Sequence, residues 1–318
     1  MPIGLGLAAS HAAAMFRTTE EEWDQTWDRL SLSRGIPQPA YTALERGENL
    51  ADMLARIDAG HKKLTAEFDR YRPDLLIIIG GDQSEMFDRS NVPQLMIYTG
   101  ATAYGNKAGS GEGPTGPQVH TDIDVEFSKY LLNRLVKTEG FDVAFSSEIQ
   151  NFGRGHGLPH AFTRILSYLT DNTPVPTVLI YENTYDPPSL SAKRCYEFGQ
   201  ALMRITRNDP RRIAILGSGG LAHDPGGKRS GWLDQPLDHW FLEKIASGEG
   251  KAAEAMYSFD SDTMAGGTGE IRAWITVAGA MESIGAQARV VDYIPASKTA
   301  TGLSMAYWLT EPAEVAVT

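Results

Sequence analysis

The chain has 318 residues, of which 42% are hydrophobic and 22% charged, a balance typical of a folded globular protein and not of a disordered or fibrous one. Its 40 acidic and 29 basic residues give a formal charge of −11, which argues against general attraction to nucleic acid or to an anionic membrane surface. The single cysteine, Cys195, cannot form an internal disulfide and fits a reducing compartment. The first residues resemble neither a signal peptide nor a membrane span, so we expect a cytoplasmic protein.

Short aliphatic runs alternate along the chain with segments of helical periodicity. The predicted strands are residues 3–8, 74–79, 94–98, 143–145, 177–180, 213–216 and 290–294. The predicted helices are residues 50–70, 121–136, 189–205, 233–245 and 270–284. This alternation predicts an α/β fold with a central, mostly parallel sheet flanked by helices, in a single large catalytic domain over residues 1–318.

Two glycine-rich stretches interrupt this pattern. Residues 105–117 are typical of either an active-site lid or a surface loop. The second stretch, 219–231, overlaps a segment, 217–222, that matches the dinucleotide fingerprint G-x-G-x-x-A. That fingerprint requires a helix directly after the glycines, whereas Pro225 and its neighbouring glycines cannot propagate one. We therefore disfavour a dinucleotide site.

Polar side chains follow several of the predicted strands where those strands end. His11 follows the first strand, Asp82 and Gln83 follow the second, and His223 follows the strand that ends at Leu216. In open α/β sheets, ligands bind beyond the carboxyl ends of the strands. These loops are therefore expected to converge on one active site.

Two further residues are candidates for the same site. His156 is flanked by glycines, which allow the backbone to approach a ligand closely, and Glu270 begins a helix. Taken singly, each candidate histidine has a plainer interpretation, because a loop histidine is more often solvated or hydrogen-bonded than a ligand. His160 lies four residues after His156, but Pro159 between them weakens the idea of a shared helical face.

Five segments together resemble the class III extradiol ring-cleavage dioxygenases, the superfamily of the protocatechuate 4,5-dioxygenase β subunit. They are residues 9–11, 72–82, 217–223, 269–270 with the following helix, and 294–302. The resemblance spans most of the chain. It implies a non-haem Fe(II) centre held by two histidines and one glutamate, with a further histidine as acid/base.

Position by position, the resemblance implies that His11 and Glu270 are metal ligands and that His223 is the acid/base. It also implies that His156 is a second active-site histidine that contacts substrate. A site of two histidines and one carboxylate leaves open positions on iron for a bidentate catecholate and for O₂. A nearby histidine can then accept and return a phenolic proton.

One position departs from the family pattern, because Gln83 stands where the second histidine ligand is expected. The amide oxygen of Gln83 is a neutral ligand, but it gives a weaker field and a site more hospitable to harder ions such as Mn(II). Alternatively, Gln83 only hydrogen-bonds nearby, and Asp82 either coordinates the metal or orients a ligand.

We weigh three functions. The leading one is an extradiol-type dioxygenase that opens a catechol-like or aminophenol-like ring with O₂, using Fe(II) or Mn(II). The second is a lyase or hydrolase on an aromatic compound with the metal as Lewis acid, and the third is a catalytically inactive binding module.

The expected partners are a small aromatic substrate and O₂, with no nucleic acid and no membrane. Arg154, Ser297 and Thr299 are candidate substrate contacts through hydrogen bonds to a carboxylate or hydroxyl. The resemblance implies a homo-oligomer and leaves open a small partner subunit.

Overall fold

The computed structural model describes residues 3–107, 115–259 and 261–310. The strands of these regions are β1 (Ile3–Ala9), β2 (Leu75–Gly80), β3 (Leu95–Tyr98), β4 (Thr102–Asn106), β5 (Gln118–Asp122), β6 (Ala144–Ser146), β7 (Thr177–Glu182), β8 (Ile213–Ser218), β9 (Ala288–Ala296) and β10 (Thr301–Leu309). The α-helices are α1 (Glu20–Trp27), α2 (Gly47–Tyr71), α3 (Val125–Lys137), α4 (His160–Leu169), α5 (Ala192–Thr206), α6 (Gln235–Ala246) and α7 (Ile271–Glu282).

Eight of the described strands form one central sheet in the order β6-β3-β7-β2-β8-β1-β10-β9. Its middle strands, β7, β2, β8 and β1, are all parallel, whereas β3 pairs antiparallel with β7, and β10 pairs antiparallel with both β1 and β9. The predicted α/β class, with a mostly parallel central sheet flanked by helices, is confirmed.

The sequence of β2 shows why the sheet is covered on both faces. All six of its residues are buried, and successive side chains point to opposite faces. Ile77 and Ile79 belong to the core layer that contains Phe198 of α5 and Trp274 of α7. The alternate residues, Leu76 and Ile78, belong to the layer under α2 and α4. Parallel strands buried in this way are typical of α/β sheets.

Several elements differ from the sequence-based prediction. The helix predicted from residue 121 begins at Val125, because residues 118–122 pair with β4 as strand β5 and Asp124 caps the helix through the Phe127 N–H. Strand β10 and helices α1 and α4 were not predicted. Of the predicted irregular stretch 105–117, the first two residues belong to β4 and residues 108–114 lie outside the described residues.

No helix in the described parts of the chain combines the length and the apolar character needed to cross a lipid bilayer.

Candidate active site

The neighbouring parallel strands β1 and β8 end side by side, with Ala9 opposite Ser218. The chain then leads from β1 to His11 and from β8 through a glycine turn to His223. Both histidines are buried. The sheet therefore brings together two imidazoles that are more than 200 positions apart in sequence, as predicted from the strand ends.

The hydrogen bonds around His11 define which ring nitrogen carries its proton. Its Nδ1 lies 2.9 Å from the Oγ of Ser218, and the Ser218 hydroxyl donates its proton to the carbonyl of Ala161 at 2.5 Å. Because that hydroxyl has no second proton, His11 Nδ1 must be the donor to Ser218. When the ring is neutral, its lone pair is therefore on Nε2, which lies 3.3 Å from Oε2 of Glu270.

The same argument applies to His223. Its Nδ1 lies 2.8 Å from the carbonyl of Leu221, and a carbonyl only accepts, so Nδ1 carries the proton. The Nε2 of His223 lies 3.5 Å from the same Oε2 of Glu270. Each imidazole therefore directs Nε2 toward the same carboxylate oxygen, as a lone pair when the ring is neutral and as an N–H donor when it is protonated.

Glu270 sits in the turn Gly266–Glu270 that leads into α7, and its side chain is buried. A Cβ added at Gly219 would lie 2.7 Å from the Glu270 carbonyl oxygen, so the turn after β8 approaches this closely only with glycine. Burial alone would raise the pKa of Glu270, but positive charge on the His11 and His223 rings when they are protonated, together with the Gly220 N–H, which donates to Oε2 at 2.8 Å, holds that pKa below its usual range. The carboxylate is therefore ionised.

Gln83 lies next to Asp82 in the turn that follows β2, and its side-chain amide contacts the Glu270 carboxylate. The Nε2 of Gln83 donates to Oε1 of Glu270 at 2.7 Å, leaving Oε2 to face the two imidazoles. This bond orients Glu270, while coordination of a metal by Gln83 itself stays a prediction.

Asp82 is engaged by the backbone of its own turn, and the metal-related roles considered for it from sequence stay predictions. Its two carboxylate oxygens accept the backbone N–H groups of Glu85, Met86 and Phe87 at 2.8 to 3.2 Å. Burial raises the pKa of Asp82 to about 6, although these hydrogen bonds oppose the rise. Asp82 therefore shapes the turn that carries Gln83.

A cavity of about 640 Å³ opens in front of these groups and is lined by His11, Gln83, Glu85, His160 and His223, among others. His156, which we predicted to contact substrate, is exposed and does not line it. The reason is local: the segment before α4 turns at Gly157, whose φ of 97° favours glycine, and Pro159 then caps the helix. His160, the first residue of α4, faces the cavity in its place.

His160 is a site residue that the sequence reasoning missed. Its Nδ1 lies 2.6 Å from Oε2 of Glu85, whose same oxygen accepts the His160 backbone N–H at 2.8 Å. Its ring packs edge-on against His11, with centroids 4.8 Å apart. Burial lowers the pKa of His160, against the opposing effect of the Glu85 carboxylate. The available signal was a histidine at the first helical position after a proline.

Of the three predicted substrate contacts, two line the cavity and one does not. Arg154 and Thr299 line the cavity, and Arg154 donates to the carbonyl of Gln83 at 3.3 Å. Ser297 is fully buried away from the cavity lining, and its backbone N–H donates to Glu45 at 2.7 Å. The backbone at Ser297 is therefore held by a buried carboxylate, and Ser297 itself does not line the cavity.

The donor set fits a divalent metal by its chemistry. The neutral form of the His11 imidazole and the Glu270 carboxylate are both electron-pair donors, and they attract one another only if a proton or a cation lies between them. For ligands about 2.0–2.2 Å from a shared ion, adjacent donor atoms lie about 3 Å apart, which is close to the separation of His11 Nε2 from Glu270 Oε2. No three His, Cys, Asp or Glu side chains in the described regions already surround an ion position. The fit is therefore one of donor types and not of a formed cage.

The fold and site define an α/β protein whose mostly parallel sheet gathers two buried histidines, each after a strand end, and a glutamate that precedes α7 around one cavity. The chain belongs to the family described as the catalytic LigB subunit of aromatic ring-opening dioxygenase, which matches residues 38–303. The predicted membership of the extradiol dioxygenase superfamily is confirmed.

Curated relatives carry dioxygenase names. A 2,3-dihydroxyphenylpropionate/2,3-dihydroxicinnamic acid 1,2-dioxygenase from Azotobacter vinelandii is 28% identical over 176 residues, which cover 55% of this chain and 52% of that protein. The protein of the same name from Burkholderia vietnamiensis is 26% identical over 285 residues, covering 76% of this chain and 86% of the relative. The match thus spans about half of the first relative and most of the second.

A solved structure shares the fold. The crystal structure of an uncharacterized protein from Escherichia coli K12 aligns with a TM-score of 0.53 at 13% identity, covering 95% of this chain and 99% of that chain. At this identity the likeness supports the fold alone.

Proposed function

We propose that the chain is a metal-dependent extradiol-type dioxygenase that opens a catechol-like or aminophenol-like ring with O₂. The observation that carries the proposal is the approach of His11 Nε2 and His223 Nε2 to one oxygen of Glu270 at the base of a 640 Å³ cavity. A family of aromatic ring-opening dioxygenases, matched over most of the chain, supports the same chemistry.

In this proposal His11 and Glu270 hold the ion, and the Oε1 of Gln83 is the predicted third donor. Fe(II) is the expected ion, with Mn(II) as the alternative because of the amide ligand. When bound, the ion supplies Lewis acidity and open positions for the two substrate oxygens and for O₂. The Ser218 and Gln83 hydrogen bonds fix the orientation of His11 and Glu270 before the ion arrives.

His223 is the proposed acid/base. The Leu221 carbonyl holds its proton on Nδ1, so Nε2 is free to accept a phenolic proton. The nearby Glu270 carboxylate stabilises the resulting imidazolium, which later returns the proton. His160, tied to Glu85, takes the substrate-contacting role that the sequence assigned to His156.

Arg154 and Thr299 are the proposed substrate contacts within the cavity. The Thr299 hydroxyl donates to the Ala296 carbonyl at 3.2 Å and keeps lone pairs for a substrate hydroxyl. The Arg154 guanidinium is suited to a substrate carboxylate.

The proposal is tested with protein purified without oxygen and reconstituted with Fe(II) or Mn(II). We expect near-stoichiometric metal by elemental analysis, and O₂ uptake with a yellow ring-opened product on a panel of catechols and aminophenols. His223→Gln should keep the metal but lose O₂ uptake, while the exposed His239→Gln should match wild type. Absence of O₂ uptake on every substrate by the metal-loaded enzyme would refute the proposal.

Dependence of turnover on O₂ distinguishes the dioxygenase from the lyase or hydrolase alternative. A dioxygenase must stop in its absence, because both atoms of O₂ enter the product. Turnover of an aromatic substrate under strictly anaerobic conditions would therefore transfer the assignment to metal-assisted lyase or hydrolase chemistry.

A further inference from the structure

The cavity in front of His11 carries an excess of positive charge. Its lining includes the arginines Arg17, Arg29, Arg34, Arg154 and Arg164, whereas Glu85 is the one acidic residue among the described lining residues. The whole chain has a formal charge of −11, so the cavity is positively charged although the protein as a whole is negatively charged. Cations collected in a concave site raise the local potential and attract anionic ligands.

Most of these guanidinium groups are not neutralised by the protein. In the described parts of the chain, Arg29, Arg34 and Arg154 form no ion pair with a carboxylate. Arg34 instead donates to the backbone carbonyls of Arg29 and Gly226 at 3.0 and 3.1 Å, and Arg154 donates to that of Gln83. Guanidinium stays charged at all relevant pH values, and a carbonyl does not neutralise it.

Arg17 adds a second, independent observation. Its closest carboxylate is that of Glu22, at 3.8 Å, and its Nε is buried without a hydrogen-bond partner. A buried N–H of a charged group without an acceptor is costly, so the protein itself leaves the hydrogen-bonding capacity of Arg17 incompletely used. The side chain as a whole is 40% exposed and lines the cavity, where its other guanidinium N–H groups can donate to an anion.

The arginines approach the cavity from two sides. Arg17, Arg29 and Arg34 come from the segment between β1 and α2, ahead of the region that the family model matches. Arg34 donates a hydrogen bond to the loop that follows His223, and Arg154 donates one to the backbone carbonyl of Gln83. The charge therefore flanks the proposed position of the ring.

We propose that Arg17, Arg29, Arg34 and Arg154 form a subsite for a ring substituent that carries two negative charges, supplied either by two carboxylates or by one phosphate. This inference rests on the proposed function, in which the ring itself is opened at His11 and Glu270. One carboxylate engages one or two guanidinium forks, so a single carboxylate leaves part of this set unpaired. The curated relatives are named for substrates with one carboxylate side chain, and a second negative charge on the substituent would engage the guanidinium groups that one carboxylate leaves unpaired.

Binding is measured without ring opening, so that the subsite is tested apart from the reaction. Metal-loaded protein without oxygen is titrated calorimetrically with benzoate, benzene-1,3-dicarboxylate and phenyl phosphate, none of which carries the diol. We expect at least one of the doubly charged probes to bind about tenfold more tightly than benzoate, with an affinity that falls as salt rises. The tighter of the two identifies carboxylates or phosphate as the source of the charge.

Arg29→Gln is the sharpest variant, because Arg29 is exposed and its guanidinium makes no hydrogen bond or ion pair in the described residues. It should weaken the doubly charged probe about threefold to tenfold, while Arg29→Lys, which keeps the charge but not the fork, should fall between. Arg207→Gln, at the exposed end of α5, is the matched control and should bind like wild type.

Two results would overturn the subsite. One is equal affinity for benzoate and both doubly charged probes, and the other is equal binding by the Arg29→Gln and Arg207→Gln variants. Either result leaves the proposed reaction intact if catechols are still opened. Conversely, tight binding of a doubly charged probe by a protein that opens no ring would keep the subsite and refute the reaction.

Discussion

Asp238 supports the turn that carries His223, and its burial predicts how its substitution changes the free energy of unfolding. The residue is fully buried in α6, where its Oδ1 accepts the Ala222 N–H at 2.8 Å and its Oδ2 accepts the Tyr293 hydroxyl at 2.7 Å. Burial raises its pKa to about 7 from an ordinary value of 3.8, although both hydrogen bonds oppose the rise. We therefore expect Asp238→Asn to change how stability depends on pH.

The sign follows from proton linkage. Because the folded pKa lies above the unfolded one, the folded state holds the proton more strongly, and stability is lost as pH rises from about 4 to about 7. The difference between 7 and 3.8 corresponds to about 4 kcal/mol of destabilisation in the wild type at pH 8, of which about 2–3 kcal/mol develops above pH 5. The neutral amide of the Asp238→Asn variant would carry no such cost. Loss of a charged acceptor offsets about 1–2 kcal/mol of that gain.

Urea unfolding of both proteins at pH 5, 6, 7 and 8 measures this difference. The free energy of unfolding of Asp238→Asn relative to wild type should rise by about 2–3 kcal/mol between pH 5 and pH 8. The same substitution at the exposed Asp142 should show no such trend. A difference that is constant across the range would refute the assignment of a raised pKa to Asp238.

Three further predictions concern the site and the packing behind it. Glu270→Gln should weaken metal binding by more than the roughly 10- to 100-fold loss that is typical when a hydrogen-bond partner of a ligand is removed. Competition with a chelator measures the affinity, and an unchanged affinity would contradict the ligand role. His160→Gln should lower kcat roughly 100-fold, while His156→Gln should leave kcat close to wild type; the reverse order would restore the sequence-based assignment. Gly199→Ala places a Cβ 1.8 Å from the Thr276 carbonyl oxygen, so urea unfolding should show a loss of about 1–3 kcal/mol, and an unchanged midpoint would contradict the tight packing of α5 on α7.

The sheet was predictable where its strands are aliphatic and buried on both faces, as in β2 and β8. Strand β10 was missed because small and polar residues such as Gly302 and Ser304 interrupt its apolar pattern. Its nine residues form a strand only because β1 and β9 pair with it on either side. Long-range pairing of this kind overrides local preference and cannot be deduced from local sequence.

The candidate site shows the same division. His11 and His223 were predictable because each follows a strand, and strand ends in a parallel sheet share one edge. It was not predictable that His160 and not His156 lines the cavity, because this depends on the backbone turn at Gly157 and on the helix that starts after Pro159. Glu85, the partner of His160, lies 75 positions earlier, so only the folded chain brings the pair together.

Gln83 departs from the family pattern, and the two groups of its amide are available to different partners in the site. An amide has an NH₂ group that donates and an oxygen that accepts, and the NH₂ of Gln83 is committed to Oε1 of Glu270. The amide oxygen is then the atom left for a metal, so the predicted ligand role and the bond to Glu270 use different atoms and are compatible. A histidine ligand at this position would offer a stronger donor but only one N–H for the carboxylate. Gln83→Ala removes the N–H donor to Oε1, so it should disturb the orientation of Glu270 even if the amide oxygen never binds the ion.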